Sequence, residues 1–257
     1  MEYAYLSSTV SIKTVSEDQK NGVFEIEGLF AGYGLTMGNA LRRALLSSLP
    51  GAAVTEIKVK NVPHEFSTLP GVKEDMVELA LNFKKLRFRL HVDEPQVLTL
   101  KGKGERTLTA GDIELNSNVD MINPDEVLAT LTAKDAELDL EIKVERGLGY
   151  VPVESRKSEG RLAIGTIAID AIFTPVERVN YTVEDMRVGD RTDYHRLRME
   201  IMTDGTVSPS SALHKAANIL KDHFEKIGAV TVAEFEGTKA APVEKEKKVK
   251  KTKKAAA

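Results

Sequence analysis

Alternation of apolar and polar residues runs through most of this chain, and no other feature of the sequence narrows the choice of fold so far. In the stretch holding Leu138, Leu140, Ile142 and Val144, every second position is apolar and the residues between are charged. Side chains on a strand point alternately to opposite faces, so this is the signature of an antiparallel sheet with one face on a core and the other in water. Val10 with Ile12, Val23 to Ile26, Ile57 with Val59, Val97 to Leu100, and Leu86, Phe88, Leu90 and Val92 repeat it. A parallel doubly wound sheet needs continuous apolar strands joined by helical crossovers, and the pattern disfavours it.

Three segments switch to helical spacing. The first is predicted over about Thr36 to Leu49, with Thr36 as its cap, an apolar face of Met37, Leu41, Ala44, Leu45 and Leu49, and Pro50 and Gly51 as its stop. A shorter one, Val72 to Phe83, carries Met76, Leu79 and Ala80. The last begins with Ser208 as cap and Pro209 in the first turn, and places Leu213, Ala216, Ala217, Leu220, Phe224 and Ile227 at steps of three and four before Gly228. The long helices stand near opposite ends of the chain, with little but strands and turns between. The reading is therefore an α+β protein: residues 1–50 and 165–230 form one unit of mixed sheet plus two long helices, interrupted by an inserted, mostly antiparallel β domain over 51–164.

Composition bounds the function. The chain has no cysteine, which removes disulfides and thiolate metal ligands, and no apolar run nears the roughly 18 residues of a membrane span or resembles a signal core. It reads as a cytoplasmic protein that makes no contact with a membrane. Its net charge of −3 hides an asymmetry: residues 238–257 hold eight lysines against two glutamates, so the remainder carries −9. A body that acidic is a poor general nucleic-acid binder. The Lys-rich stretch 231–257 cannot bury enough apolar surface to order itself, and is expected to be a disordered tail.

Motifs for chemistry are weak. Gly28, Gly32, Gly34 and Gly38 lie where a dinucleotide fingerprint would sit, but Met37 occupies the position of its third small residue. Glu137, Asp139 and Glu141 could form a carboxylate site, yet their alternation with leucines makes them the wet face of a strand. The histidines His64, His91, His195, His214 and His223 lack metal-ligand spacing. No catalytic residue, metal site or cofactor is expected. Arg43 projects nearly opposite Leu41 and Leu45 on the helical wheel, and an exposed arginine beside a buried stripe suits either solvent or a protein partner.

The run Gly34-Leu35-Thr36-Met37-Gly38-Asn39-Ala40-Leu41-Arg42-Arg43-Ala44-Leu45-Leu46-Ser47-Ser48 resembles the first dimer helix of the alpha subunits of bacterial RNA polymerase. Further stretches resemble the same family in the same order: Gly51 to Glu56, His64 to Thr68, Gly71 to Asp75, Arg146 to Pro152, Thr174 to Val179, and Asp204-Gly205-Thr206. The resemblance implies the interrupted two-part architecture and a homodimer built on Leu41, Leu45, Leu213, Ala217, Leu220 and Phe224. It implies a beta-subunit contact through Arg43 and Lys84, a large-subunit contact through Arg178, and a complex with the beta, beta-prime and omega subunits in which DNA is transcribed. Family members usually continue into a small helical DNA-binding domain. Here a Lys-rich tail stands in that place, so weak, sequence-independent DNA affinity is the most that the tail is expected to add.

Two rivals are weaker. An enzyme transferring nucleotides would need clustered carboxylates around paired metal ions, and the aspartates here are scattered. A freestanding dimeric DNA-binding regulator acting through its basic tail would have an acidic body and no recognition-helix motif.

Overall fold

The computed structural model describes residues 8–60, 62, 64–157 and 165–230. The chain runs β1 (Ser11–Glu17), β2 (Asn21–Leu29), α1 (Tyr33–Ser47), β3 (Pro50–Val59), α2 (Met76–Lys84), β4 (Phe88–Leu90), β5 (Gln96–Lys103), β6 (Arg106–Thr109), β7 (Ile113–Glu114), β8 (Val119–Met121), β9 (Val127–Leu131) and β10 (Glu137–Leu148). It continues through β11 (Tyr150–Val151), α3 (Val153–Lys157), β12 (Thr166–Ala168), β13 (Ala171–Ile172), β14 (Val176–Val188), β15 (Arg191–Thr203) and α4 (Pro209–Gly228).

The protein is α+β. Its first unit is a four-stranded sheet in the order β1-β2-β15-β14, with α1 packed on β14 and β15 and α4 packed on α1. Expected to be mixed, this sheet is antiparallel in every pairing. Two of the three pairings are set locally, since β1 to β2 and β14 to β15 are hairpins and hairpins can only pair antiparallel, while β2 and β15 meet through the fold. One core fills the unit, with Phe24, Leu29, Leu197, Met199 and Ile201 from the sheet against Leu41, Leu45, Leu213 and Ala216 from the helices.

The second unit is a sheet ordered β7-β5-β10-β3-β4-β8, with β12 also pairing β3. Along β10, Leu138, Leu140, Ile142 and Val144 are buried, as the alternation requires. Met76, Leu79 and Phe83 of α2 seal the same core. Thr166 to Ala168 pair with Lys58, Ile57 and Glu56, so the stretch expected to resume the first unit at 165 belongs instead to the second. The chain returns to the first unit only at β14. Ala53, Ala171 and Phe173 form a small third cluster, and a Cβ on Gly147 would fall 2.6 Å from the Phe173 ring.

Helix limits differ from expectation where tertiary contacts intervene. Helix α1 starts at Tyr33, three residues ahead of the predicted cap: Gly32 is its N-cap at φ 86°, and Thr36 sits in the first turn with its hydroxyl donating to the Gly32 carbonyl at 3.4 Å. A left-handed φ of that size is open to glycine at little cost. Helix α2 starts at Met76 rather than Val72, because Asp75 accepts the Glu78 amide at 2.7 Å and caps it, while Val72 is held as a bridge to Leu131. Helix α4 begins at the expected Ser208–Pro209 signal, with Ser208 accepting the Ser211 amide at 3.4 Å.

Candidate interaction surfaces

Helix α4 carries one apolar stripe with two fates. Ala212, Leu213 and Ala216 are buried against the helix's own unit, and Leu220 is half-buried there. From Lys221 to Val230 every residue is exposed, including Phe224 at 62%, Ile227 at 65% and Val230 at 71%. The C-terminal half of the helix therefore overhangs the body and holds its apolar side chains in water. Large aromatic and aliphatic residues left open in one row mark an interaction surface. On α1, Tyr33, Leu35 and Met37 are exposed as well.

Part of the expected dimer set is buried within the protomer. Leu41, Leu45 and Leu213 are 4%, 0% and 6% exposed, packed in the core that the sheet and helices of their own unit share. Of the expected set, Ala217 and Phe224 are exposed on α4, and Leu220 stands half-buried between them. Ile227, read from sequence as part of the stripe but not as interface, joins them.

The three expected cation anchors lie in two places. Arg43 is exposed on α1, and Arg178 is exposed on β14, the strand on which α1 packs. Neither has an ion pair or side-chain hydrogen bond among the described residues. Arg178 adjoins a register shift between Val176 and Arg178, and bulges of this kind re-aim side chains. Lys84 ends α2 in the other unit. Its ammonium lies 3.2 Å from Asp170 Oδ2 and 5.7 Å from the centre of the Tyr150 ring. Asp170 also accepts the Val153 amide at 3.0 Å. That amide, with the Lys84 ammonium and the Tyr150 hydroxyl, holds the Asp170 carboxyl below its ordinary pKa, while partial desolvation and the Asp170 carboxylate push the Tyr150 phenol up. Beside the pair runs a groove of 260 Å³ bordered by Phe66, Val77, Leu81 and Ile167. Sequence reading missed Asp170 and Tyr150, because Asp170 lies 86 residues from Lys84 and no local signal joins them.

The residues weighed for chemistry have structural partners. Glu137, Asp139 and Glu141 face Lys103, Lys60 and Lys58 across the strands at 3.1, 3.9 and 3.6 Å. His91 meets Asp120 at 2.9 Å, and His223 Nδ1 donates to the Ile219 carbonyl at 2.7 Å. Among the described residues no group of three His, Cys, Asp or Glu side chains is placed to hold a metal ion, and no helix is long and apolar enough to cross a membrane. Two of the glycines that resembled a nucleotide fingerprint serve packing. A Cβ on Gly34 would fall 2.7 Å from Val183 Cγ1, and one on Gly38 would fall 2.7 Å from Tyr181 Cδ2, so both let α1 lie close on β14.

Residues 56–174, which span most of the second unit, match the family described as the RNA polymerase Rpb3/RpoA insert domain. The chain is 50% identical over 222 residues to the DNA-directed RNA polymerase subunit alpha of Symbiobacterium thermophilum, covering 86% of this chain and 70% of that relative. Against the same subunit of a Roseiflexus species it is 48% identical over 233 residues, 90% of this chain and 70% of the relative. The match to Alkaliphilus oremlandii is 47% over 215 residues, 84% and 67% of the two chains. Identity of this order across both units, with the insert family matched on the second sheet, makes this chain a member of the DNA-directed RNA polymerase alpha-subunit family.

Proposed function

We propose that the chain is a homodimeric scaffold on which the beta and beta-prime subunits of RNA polymerase assemble, with omega in the same complex, and that polymerisation chemistry belongs to those partners. The observation that carries this reading is the overhang of α4, where Phe224 and Ile227 stand open beyond the body. In a symmetric dimer the same stripe meets its own copy, so each residue counts twice. In this reading Arg43 and Lys84 touch the beta subunit and Arg178 a large subunit, the chain binds no cofactor itself, and DNA is reached through the assembled enzyme in the cytoplasm and nucleoid. The lysines of 239–254 add weak, salt-sensitive DNA affinity without sequence preference.

The test is Phe224→Asp. Leu220→Asp is a poorer choice, since Leu220 also packs on its own core and its loss confounds folding with assembly. Burying Phe224 in both copies is worth about 3 kcal/mol or more, and an aspartate there adds charge repulsion, so the variant should be monomeric at micromolar concentration with unchanged circular dichroism. A variant dimer of normal mass in light scattering would remove α4 from the interface and this reading with it.

A further inference from the structure

We infer that Asp170 is a positioning residue: it holds the Lys84 ammonium at the rim of the Phe66–Leu81 groove in the orientation in which the beta subunit takes it. This deepens the proposed scaffold reading and rests on the Lys84 contact assigned there.

The backbone around both residues is pinned. Ile169, just before Asp170, is 4% exposed, gives its amide to the Thr55 carbonyl at 2.9 Å, and offers its own carbonyl to the Arg156 guanidinium. Ala171, just after, is fully buried. With buried residues on either side, the Asp170 carboxylate is turned out to the surface at a set point, and the Val153 amide fixes it there at 3.0 Å. Lys84 follows the fully buried Phe83, and its carbonyl accepts from Arg87 Nη1 at 3.1 Å. Two anchored backbones thus meet through one ion pair of 3.2 Å whose side chains are 26% and 34% exposed.

A free lysine on a surface has four rotatable bonds to order before it can serve a partner, and that ordering weakens binding. Asp170 removes much of this cost in advance, with the face of Tyr150 as a second restraint. An ammonium has three donors. The Asp170 bond engages one, so the remainder can meet an acceptor on the partner. The apolar groove alongside gives that partner a place for an aliphatic or aromatic side chain next to the polar contact.

The experiment uses purified full-chain dimers and purified beta subunit. Asp170→Asn keeps an acceptor for the Val153 amide but removes the charge that holds Lys84, and should weaken beta binding about tenfold, in the range of a lost charged hydrogen bond. Lys84→Ala should weaken it at least as much, and the double variant should bind no worse than Lys84→Ala alone, because Asp170 acts through Lys84. In the free dimer, ammonium-detected NMR should show a restrained Lys84 signal that Asp170→Asn releases. Losses that add in the double variant, or normal binding by Asp170→Asn where Lys84→Ala is impaired, would overturn the positioning role and leave the Lys84 contact standing. Normal binding by Lys84→Ala would overturn the contact itself and this inference together. Should Asp170→Asn melt early, Tyr150→Phe with its ring retained takes its place: a restrained Lys84 signal and only a small loss of affinity uphold the arrangement, and loss equal to Lys84→Ala with the signal intact refutes it.

Discussion

Arg89 donates two hydrogen bonds to the carbonyl of Thr206, from Nε at 3.0 Å and Nη2 at 2.6 Å, across 117 residues of sequence. Arg89 lies on β4 in the second unit, and Thr206 lies in the turn between β15 and α4 in the first, so the contact bolts the two units together. The turn is itself preformed. Asp204 is 7% exposed, and its Oδ1 accepts the Thr206 amide at 2.9 Å and hydroxyl at 2.6 Å, while its Oδ2 faces Arg87 Nε at 3.5 Å. The Asp204-Gly205-Thr206 signature, opaque in the sequence, is a joint between units.

Arg89→Ala should therefore leave both cores intact but free their relative orientation. The expected cost is about 1 kcal/mol, the net value of such hydrogen bonds near a surface. Hydrogen exchange should quicken at Val207 and along β4 while the amides of β10 stay protected. Unchanged exchange at Val207 would mean that the other contacts across the joint, the Arg87–Asp204 pair among them, hold it without Arg89.

Arg43→Ala should spare folding and dimerisation. Exposed and without an ion pair among the described residues, Arg43 can be removed for within about 0.5 kcal/mol of fold stability. In the proposed scaffold, an arginine anchoring the beta subunit should be worth about 2 kcal/mol, roughly thirtyfold in affinity. Binding assays of the variant dimer beside circular dichroism check both halves, and parent-like beta binding would reduce Arg43 to a solvated charge.

Gly38→Ala should destabilise, against the sign of helix propensity. Alanine in a helix interior gains about 1 kcal/mol over glycine. Here its Cβ would meet Tyr181 Cδ2 at 2.7 Å and Leu197 Cδ1 at 3.0 Å, and overpacking of that kind costs about 1–3 kcal/mol. Urea unfolding should show a lower midpoint with an unchanged slope. A higher midpoint would show that α1 can slide away from β14 cheaply.

Acid should weaken the first unit through a named pair. Glu27 is held below its ordinary pKa chiefly by the hydrogen bond from Lys13, 2.5 Å away, with Arg196 adding at 3.1 Å. A carboxyl whose folded pKa is depressed lends stability above its unfolded value, near 4.3, and withdraws it as pH falls through the folded value. Asp18, lowered by the amides of Asn21 and Lys20 at the β1–β2 turn, acts in the same direction. Unfolding midpoints should fall below about pH 4, and Glu27→Gln should flatten the first part of that fall. A profile of identical shape in the variant would exclude the pair as a source of acid sensitivity.

Local features of the sequence were enough for the wet and dry faces of β10, the α+β class, and the start of α4 at Ser208–Pro209. Each depends on near neighbours: a strand repeats every second residue, and a cap needs only the next three. They did not reveal what covers an apolar face. Leu45 and Phe224 sit on stripes that look alike along the chain, yet one is sealed at 0% exposure by the protein's own sheet and the other stands in water at 62%. The same limit hid Gly34 and Gly38, whose meaning lies in Val183 and Tyr181, and Asp170, whose partner is Lys84. Periodicity says which side of an element avoids water; only the packed chain, which brings residues from distant positions to contact distance, decides which of those sides it satisfies internally and which it leaves for another molecule.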